Sequence, residues 1–354
     1  MSVIDNAYLN IHGRKIGPGE PAYIIAELSA NHNQDFDQAV ELMHLAKEAG
    51  ADAIKLQTYT PDTITIECNN EHFRLGSGTI WDGETLHQLY GRAYTPWKWQ
   101  PELKRVGDDL GVHVFSSPFD ETAVDFLEAM GVGAYKIASF ELVHLPLIRY
   151  VARTGKPIIM STGMATLAEI DEAVSAARTA GAKEIALLQC SSAYPAPPSS
   201  IHLRNIPHLA QAFSVVTGLS DHTLGVAVPI ASVAQGAHII EKHFTKSRAV
   251  EGPDSKFSLE PDEFKLMVES VRIAEESLGS IEYRLTEEER PGLVFRRSVF
   301  VVEDVRAGEP LTASNLRVIR PGYGLHSRHY EGVIGRTATR DLKRGTPLDW
   351  SMVG

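Results

Sequence analysis

The chain has 354 residues, of which 43% are hydrophobic and 22% are charged, and its formal net charge is −11. This length suits one large domain and a small one, and the composition is that of an ordinary globular protein. The negative charge disfavours nucleic acid and anionic membranes as partners. No apolar run approaches the roughly 20 residues that span a bilayer, and no signal peptide is expected. The two cysteines, Cys68 and Cys190, cannot form a disulfide framework, so we expect a cytoplasmic protein.

Between residues 22 and 280, short apolar runs alternate with amphipathic helical patterns. Eight runs rich in β-branched residues predict buried parallel strands, at 23–26, 53–56, 112–115, 134–137, 157–160, 185–188, 215–218 and 239–240. Apolar residues at helical spacing over 39–49 and 173–180, each followed by glycine, predict helices between strands. Eight such units predict a (β/α)8 TIM barrel over residues 1–280. A doubly wound sheet is the alternative, but it usually has fewer strands and a glycine-rich first turn, which is missing here.

The connection after the second predicted strand, residues 59–100, is long for a compact domain. It is also rich in aromatic residues, namely Tyr59, Phe73, Trp81, Tyr90, Tyr94, Trp97 and Trp99. Such a composition argues against disorder, and long ordered loops usually carry function. We therefore expect this insertion to contribute to a binding site.

The pattern changes after Gly279. Residues 281–292 are polar and predict a linker, and residues 293–354 predict a small β-rich domain. Its expected strands lie at 298–302, 316–319 and 333–338, separated by glycines. A unit of about sixty residues has a marginal core on its own, so we expect it to dock onto another surface.

Polar side chains stand at the end of every predicted barrel strand, which is where this fold places its active site. Residues two apart in a strand point the same way, so Lys55 with Gln57, and Glu241 with His243, can face the barrel axis as pairs. Any one of these side chains could be a solvated strand end. Eight successive polar strand ends favour a functional site.

Two groups of these residues have chemistry of their own. His222 and His243 end neighbouring strands and suit a divalent transition ion, although packed or solvated histidines are an equal alternative in a chain with 14 of them. Lys55, Lys136 and the turn 161–163 together predict a phosphate cradle, because ammonium groups supply charge and glycine allows close backbone approach. Without the lysines, this turn would be an ordinary strand-to-helix connection.

Several stretches resemble the sialic acid synthase family specifically. They are AELSANH at 26–32, STGM at 161–164, GLSDHT at 218–223, EKHFT at 241–245, GPD at 252–254 and SLEP at 258–261. The tail, with Arg320-Pro321-Gly322, resembles the antifreeze-like (SAF) domain of that family, so the resemblance covers nearly the whole chain. Residues 81–83, 89–90, 95–99 and 192–195 resemble the family's pseudaminic acid synthase branch, and Ser192 stands where sialic acid synthases usually have asparagine.

The resemblance implies condensation of phosphoenolpyruvate (PEP) with an N-acylated amino-sugar aldehyde and water to give a nonulosonic acid and phosphate. The expected acceptor is 2,4-diacetamido-2,4,6-trideoxy-L-altrose and the expected product pseudaminic acid. Synthesis of N-acetylneuraminate or legionaminate is the alternative. An octulosonate- or heptulosonate-type enzyme is a further rival, but its sugar-phosphate substrate would need an additional cationic grip that the sequence does not offer. A non-catalytic sugar- or ice-binding module built on the tail is the third hypothesis.

The resemblance also implies a divalent metal ion (Mn, Mg or Co) and a domain-swapped homodimer in which one subunit's tail caps its partner's barrel. Carried over residue by residue, it implies PEP binding by Lys55, Ser117, Lys136, Ser139, Ser161, Ser192 and Ser220. It implies metal binding by His222 and His243. The residues expected at the sugar or the reacting centre are Glu27, Gln57, Tyr194, Glu241 and Asp254. Arg320 is expected to reach into the partner's site and grip an N-acyl group.

Overall fold

The structure, a computed structural model, describes residues 7–76 and 82–354. The chain divides into two compact units, Met1–Gly279 and Ser280–Gly354. Trp81, one of the aromatic residues expected in the insertion, lies outside the described residues. Within the described ranges, no helix is long and apolar enough to cross a membrane.

The first unit contains a hairpin and a closed barrel. The hairpin pairs β1 (Leu9–Ile11) with β2 (Arg14–Ile16) in antiparallel fashion. The barrel strands are β3 (Tyr23–Glu27), β4 (Ala53–Thr58), β5 (His113–Pro118), β6 (Tyr135–Ile137), β7 (Ile158–Ser161), β8 (Ile185–Cys190), β9 (Val216–Asp221) and β10 (Ile239–His243). All pairings are parallel among these strands, and β10 pairs with both β9 and β3, which closes the ring. The predicted (β/α)8 TIM barrel is therefore confirmed, and the doubly wound sheet is excluded.

Helices follow the barrel strands, and several of them begin at side-chain caps. They are α1 (Phe36–Glu48), α2 (Pro61–Ile64), α3 (Leu86–Ala93), α4 (Gln100–Leu110), α5 (Glu121–Met130), α6 (Leu145–Ala152), α7 (Leu167–Thr179), α8 (Asn205–Phe213), α9 (Ala227–Ala234) and α10 (Pro261–Leu278). Asp35 caps α1, Asp120 caps α5, and Thr166 forms a capping box with Glu169 on α7. The predicted helices at 39–49 and 173–180 correspond to α1 and α7.

The apolar faces of the helices pack against the outside of the barrel. Leu42 and Met43 of α1 are fully buried in one cluster with Ile24 of β3 and Ile54 of β4. Full burial of one such side chain stabilises the fold by about 1.5–3 kcal/mol. The core therefore lies between barrel and helices, which leaves the ends of the strands for polar groups.

The insertion at 59–100 is ordered where it is described. It contains α2 and α3, which begin at capping boxes formed by Thr60 and Thr85. The indole nitrogen of Trp97 donates to the Tyr59 carbonyl oxygen at 3.0 Å. The Tyr59 ring packs edge-on against Tyr90 and Phe119, with centroid distances of 5.5 and 5.0 Å. These contacts attach the insertion to the C-terminal end of the barrel.

The second unit is small and has its own core. Antiparallel strands β11 (Ser298–Val301) and β12 (Leu316–Ile319) match two of the three predicted strands. The third prediction, at 333–338, is wrong. The helix α11 (Tyr330–Val333) occupies its start, and Gly335 adopts φ +85°, which is incompatible with an extended strand. Only Thr337 and Ala338 of this segment form isolated bridges.

Candidate active site at the barrel mouth

The parallel register brings the predicted polar residues to one end of the barrel. His243 pairs with Glu27, and Glu27 pairs in turn with Lys55, on three successive strands. Because alternate residues of a strand face the same side, these side chains share the barrel mouth with those two positions away. The predicted site residues at strand ends or just beyond them are Glu27, Lys55, Gln57, Ser117, Lys136, Ser139, Ser161, Ser192, Tyr194, Ser220, His222, Glu241, His243 and Asp254.

Two lysines and two glutamates form a buried chain of charges in the mouth. The Lys55 ammonium contacts the Glu27 carboxylate and lies 3.9 Å from Oε2 of Glu241. The Lys136 ammonium lies 3.5 Å from Oε1 of Glu241, and none of the four side chains is more than 6% exposed. The amide of Gln57 donates to Oε1 of Glu27 at 2.9 Å. Desolvating four charges is costly, so such a cluster indicates a functional site more than a device for stability.

The two carboxyl groups titrate differently. Burial raises the pKa of Glu27 to about 7, against the opposing effect of Lys55. Burial also disfavours ionised Glu241, but Lys136 and then Lys55 hold the pKa of Glu241 below its ordinary value. Burial lowers the pKa of Lys136. Glu27 can therefore exchange a proton near neutral pH while Glu241 stays ionised.

Hydroxyl groups and one glycine pack closely together just after β6, β7 and β8. The amide nitrogen of Gly163 donates to Oγ of Ser139 at 3.1 Å. A Cβ added to Gly163 would lie 2.2 Å from Oγ of Ser192 and 2.7 Å from Oγ of Ser139, so only glycine fits against these two hydroxyls. Oγ of Ser161 is buried and has no hydrogen-bond partner among the described residues. Hydroxyl groups gathered in this way, one of them without a partner, suit an anion such as phosphate.

His222 and His243 face each other, with ring centroids 5.3 Å apart. Nδ1 of His222 lies 2.8 Å from the carbonyl oxygen of Ser191. A carbonyl only accepts, so Nδ1 carries a proton. Burial disfavours the charged ring, but Cys190 and the Ser191 carbonyl raise the pKa of His222 above its ordinary value. Nδ1 of His243 is buried without a hydrogen-bond partner in the described residues. Burial, reinforced by His222, holds the pKa of His243 well below its ordinary value, so this ring is neutral.

The neutral His243 ring, with its unpartnered buried nitrogen, and the facing His222 ring fit a divalent transition ion. Within residues 7–76 and 82–354, no group of three or more His, Cys, Asp or Glu side chains forms a metal cluster. An ion held at His222 and His243 would therefore take its other ligands from substrate or water.

A cavity of about 560 Å³ opens beside His243 and reaches the insertion. This volume lies in the range of small-molecule sites. The insertion supplies much of its apolar wall, through Tyr59, Ile64, Leu75, Leu86, Leu89 and Tyr90. Tyr194 and Asp254 line the end towards the histidines. The expectation that the insertion contributes to a binding site is consistent with this placement.

The sequence analysis missed one acidic residue of this cavity, Glu141. Burial raises the pKa of Glu141 to about 7, against the opposing effect of Lys136. Its Oε2 is buried and has no hydrogen-bond partner in the part of the chain that the structure describes. Glu141 lies two residues beyond Ser139 in a 3₁₀ turn, and this place just after a predicted strand was the only available signal.

The remaining predicted residues lie as follows. Lys55 Nζ is 3.5 Å from Oγ of Ser117, and Ser220 Oγ donates to Oε1 of Glu241 at 3.0 Å. Asp254 is half-buried and accepts a hydrogen bond from the Ser29 hydroxyl, and desolvation raises the pKa of Asp254 to about 6.

Tyr194 stacks on His222 with a centroid distance of 4.4 Å. Arg320 is exposed in the second unit, directly after β12. The roles assigned to all these residues stay predictions.

A closed parallel barrel with buried lysines, carboxylates and imidazoles at one mouth is typical of a (β/α)8-barrel enzyme that binds an anionic small molecule. Comparison with known proteins narrows this class. The chain belongs to the NeuB family, which matches residues 42–283, and the SAF domain matches residues 296–354. The resemblance to the sialic acid synthase family is therefore confirmed.

Three relatives illustrate the range of the family. The chain is 44% identical to the pseudaminic acid synthase of Helicobacter pylori, over 93% of this chain and 97% of that protein. It is 34% identical to the N,N'-diacetyllegionaminic acid synthase of Legionella pneumophila, over 95% and 96%. Among solved structures, the N-acetylneuraminic acid synthetase of Leptospira borgpetersenii superposes with a TM-score of 0.72 at 30% identity, covering 80% of this chain and 94% of that one.

Proposed function

We propose that this chain condenses PEP with 2,4-diacetamido-2,4,6-trideoxy-L-altrose and water, and releases pseudaminic acid and inorganic phosphate. One observation carries the proposal. Two buried lysines, the serine hydroxyls packed against Gly163 and the pair His222 and His243 meet at a single barrel mouth. Identity to a pseudaminic acid synthase over 93% of the chain supports the choice of product.

PEP would occupy the space beside Lys136. The ammonium groups of Lys55 and Lys136 offset the charge of its carboxylate and phosphate. Serine hydroxyls donate to the anionic oxygens, and Gly163 lets the hydroxyls of Ser139 and Ser192 lie close to the backbone. The serines assigned to this role are Ser117, Ser139, Ser161, Ser192 and Ser220.

Carbon–carbon bond formation joins C3 of PEP to the aldehyde carbon of the open-chain sugar, whose carbonyl oxygen takes up a proton and becomes a hydroxyl. His222 and His243 would hold a divalent ion (Mn, Mg or Co), which supplies polarisation of that carbonyl oxygen. Fixing both reactants in one mouth contributes roughly 7–11 kcal/mol to lowering the barrier. The protein therefore acts mainly by placing C3 next to the aldehyde.

Attack by C3 leaves positive charge at C2 of PEP. Water adds at C2 and gives up one proton, which balances the proton taken up by the sugar oxygen. Phosphate then leaves with cleavage of the bond between C2 and the bridging oxygen, and it carries away the second proton of that water as C2 becomes a ketone carbon. Glu27 would accept the proton of that water, which its pKa of about 7 permits near neutral pH, and Gln57 fixes its orientation. Glu241, kept ionised by Lys136 and Lys55, offsets the charge at C2.

The sugar would lie in the cavity of about 560 Å³. Its apolar wall suits the methyl groups of a 6-deoxy, N-acetylated sugar better than a hexose rich in hydroxyls. Tyr194, Asp254 and Glu141 offer polar partners at the cavity surface. A buried acceptor such as Oε2 of Glu141 discriminates strongly against a ligand that leaves it unpaired.

We further propose a cytoplasmic, domain-swapped homodimer in which Arg320 of one subunit grips the N-acyl group in its partner's cavity. Residues 296–354 carry nine arginines and one lysine against six acidic residues, whereas the whole chain has a net charge of −11. A cationic tail and an acidic barrel unit attract each other, which favours association between chains.

The test is a substrate panel. The purified chain is incubated with PEP, Mn²⁺ and either the proposed altrose derivative, the legionaminic acid precursor or N-acetylmannosamine, and phosphate and product mass are measured. We expect pseudaminic acid to form faster than the other two products. Faster formation of legionaminic or N-acetylneuraminic acid would reassign the acceptor. No phosphate with any sugar would leave only the sugar-binding module.

A further inference from the structure

A second buried ion pair lies directly behind the two histidines. Asp221 and Lys242 are strand neighbours in the register of β9 and β10, and both side chains are 0% exposed. The Lys242 ammonium lies 2.5 Å from Oδ2 of Asp221. Because Glu241 and His243 face the mouth, Lys242 points to the opposite side of the barrel wall. None of the steps proposed above uses this pair.

The hydrogen bonds of the pair enclose the His222 backbone. Asp221 accepts from the amide and from the hydroxyl of Thr223, each at 3.0 Å. The Lys242 ammonium also donates to the carbonyl oxygen of Thr223. The residues before and after His222 are thus both bonded to Lys242, and Lys242 is covalently adjacent to His243. Asp221, Thr223 and Lys242, here called the clamp, therefore connect the two histidine-bearing segments.

Stability alone gives little reason for such a pair. Burying two charges costs desolvation, and a well-packed apolar pair at the same place is often as stable or more so. What an apolar pair does not provide is directional bonding to both the amide and the carbonyl of Thr223. The clamp restricts where the chain after β9 can lie relative to β10. That restriction sets the separation of the His222 and His243 rings.

We propose that the clamp is a positioning device for the metal site, holding the imidazoles of His222 and His243 at the separation that a divalent ion requires. This inference rests on the proposed function only through the assignment of those two histidines as ligands. Residues that orient metal ligands typically change metal affinity by 10- to 100-fold when they are mutated.

The test measures Mn²⁺ binding to the full-length protein by titration calorimetry, without substrate or turnover. The double variant Asp221→Leu/Lys242→Met removes both charges and retains apolar volume. We expect it to keep its thermal unfolding midpoint while its Mn²⁺ affinity falls at least tenfold. Leu147→Ala, a fully buried position in α6, is the control for general destabilisation and should bind Mn²⁺ normally. If the double variant does not fold, Asp221→Asn is measured instead, and we expect the same loss of at least tenfold in Mn²⁺ affinity.

The outcomes distinguish a failure of the clamp proposal from a failure of the assignment of His222 and His243 as metal ligands. Folded clamp variants that bind Mn²⁺ within threefold of wild type would overturn the clamp, provided that His222→Ala and His243→Ala lose binding. If those two histidine variants retain wild-type affinity, the metal assignment itself fails and the role of the clamp fails with it. An affinity loss in Leu147→Ala equal to that of the clamp variants would also overturn the positioning role, because it would follow stability alone.

Discussion

Substituting alanine for Gly163 should block the PEP cradle without disturbing the fold. Gly163 does not need glycine for its backbone conformation, because its φ is not in the left-handed region. The added Cβ would instead lie 2.2 Å from Oγ of Ser192 and 2.7 Å from Oγ of Ser139, far inside normal contact distance. Both hydroxyls must rotate away from the positions in which they would donate to phosphate.

The expected loss follows from those two hydroxyls. A hydrogen bond to a charged group contributes about 1.5–3 kcal/mol. If the two serine hydroxyls each lose a hydrogen bond of about 1.5 kcal/mol to phosphate, binding is weakened by about 3 kcal/mol. This corresponds to roughly a 100-fold decrease in kcat/KM for PEP. Most of this loss should appear in KM, because the phosphate carries its charge before and during the reaction.

Steady-state kinetics with varied PEP at saturating sugar measures this effect. Gly332→Ala is the matched control, since a Cβ there meets nothing within 4 Å. The control should behave as wild type, and both variants should keep the wild-type unfolding midpoint. A KM for PEP within threefold of wild type in Gly163→Ala would refute the cradle.

Three further predictions test other parts of the site. Lys136→Ala should lower kcat/KM for PEP at least 100-fold, about 2.7 kcal/mol, and an unchanged KM would remove this lysine from PEP binding. Because burial raises the pKa of Glu27 to about 7 and the ionised form is the active one, kcat/KM should rise with pH through about 7, and Glu27→Gln should lose both rate and this limb of the profile. If kcat/KM of Glu27→Gln still rises with pH through about 7, the titrating group is another residue. Mixing inactive Arg320→Ala chains with inactive Lys136→Ala chains and reassembling them should restore activity if the tail acts in trans, whereas a site completed within one chain would stay inactive.

Much of the barrel could be predicted because its signals are local. Apolar runs such as 185–188 are short and bounded by turns, and they became β8 and its equivalents. The tail was harder, since 333–338 has the composition of a strand but Gly335 turns the chain. In a small unit with few strands, one such turn decides whether the segment pairs.

The candidate site shows where sequence patterns reach their limit. Period-two alternation was sufficient to predict that Glu241 and His243 face the mouth. Glu141 was missed because it lies in a 3₁₀ turn, where no periodicity tells which way a side chain points. The Asp221–Lys242 pair was missed for another reason. Its two members are 21 positions apart and become neighbours only through the register of β9 and β10.

The serine hydroxyls around Gly163 and the cavity beside His243 differ in which parts of the sequence supply their residues. The hydroxyls around Gly163 come from the ends of several strands, so a change in one of them disturbs the shared frame of the barrel. Much of the sugar cavity's wall comes from one contiguous stretch between β4 and β5. Under the proposed function, substitutions in that stretch can change which sugar is accepted. The residues that bind PEP would stay the same. A change of acceptor sugar would then require substitutions in a single loop and no new barrel.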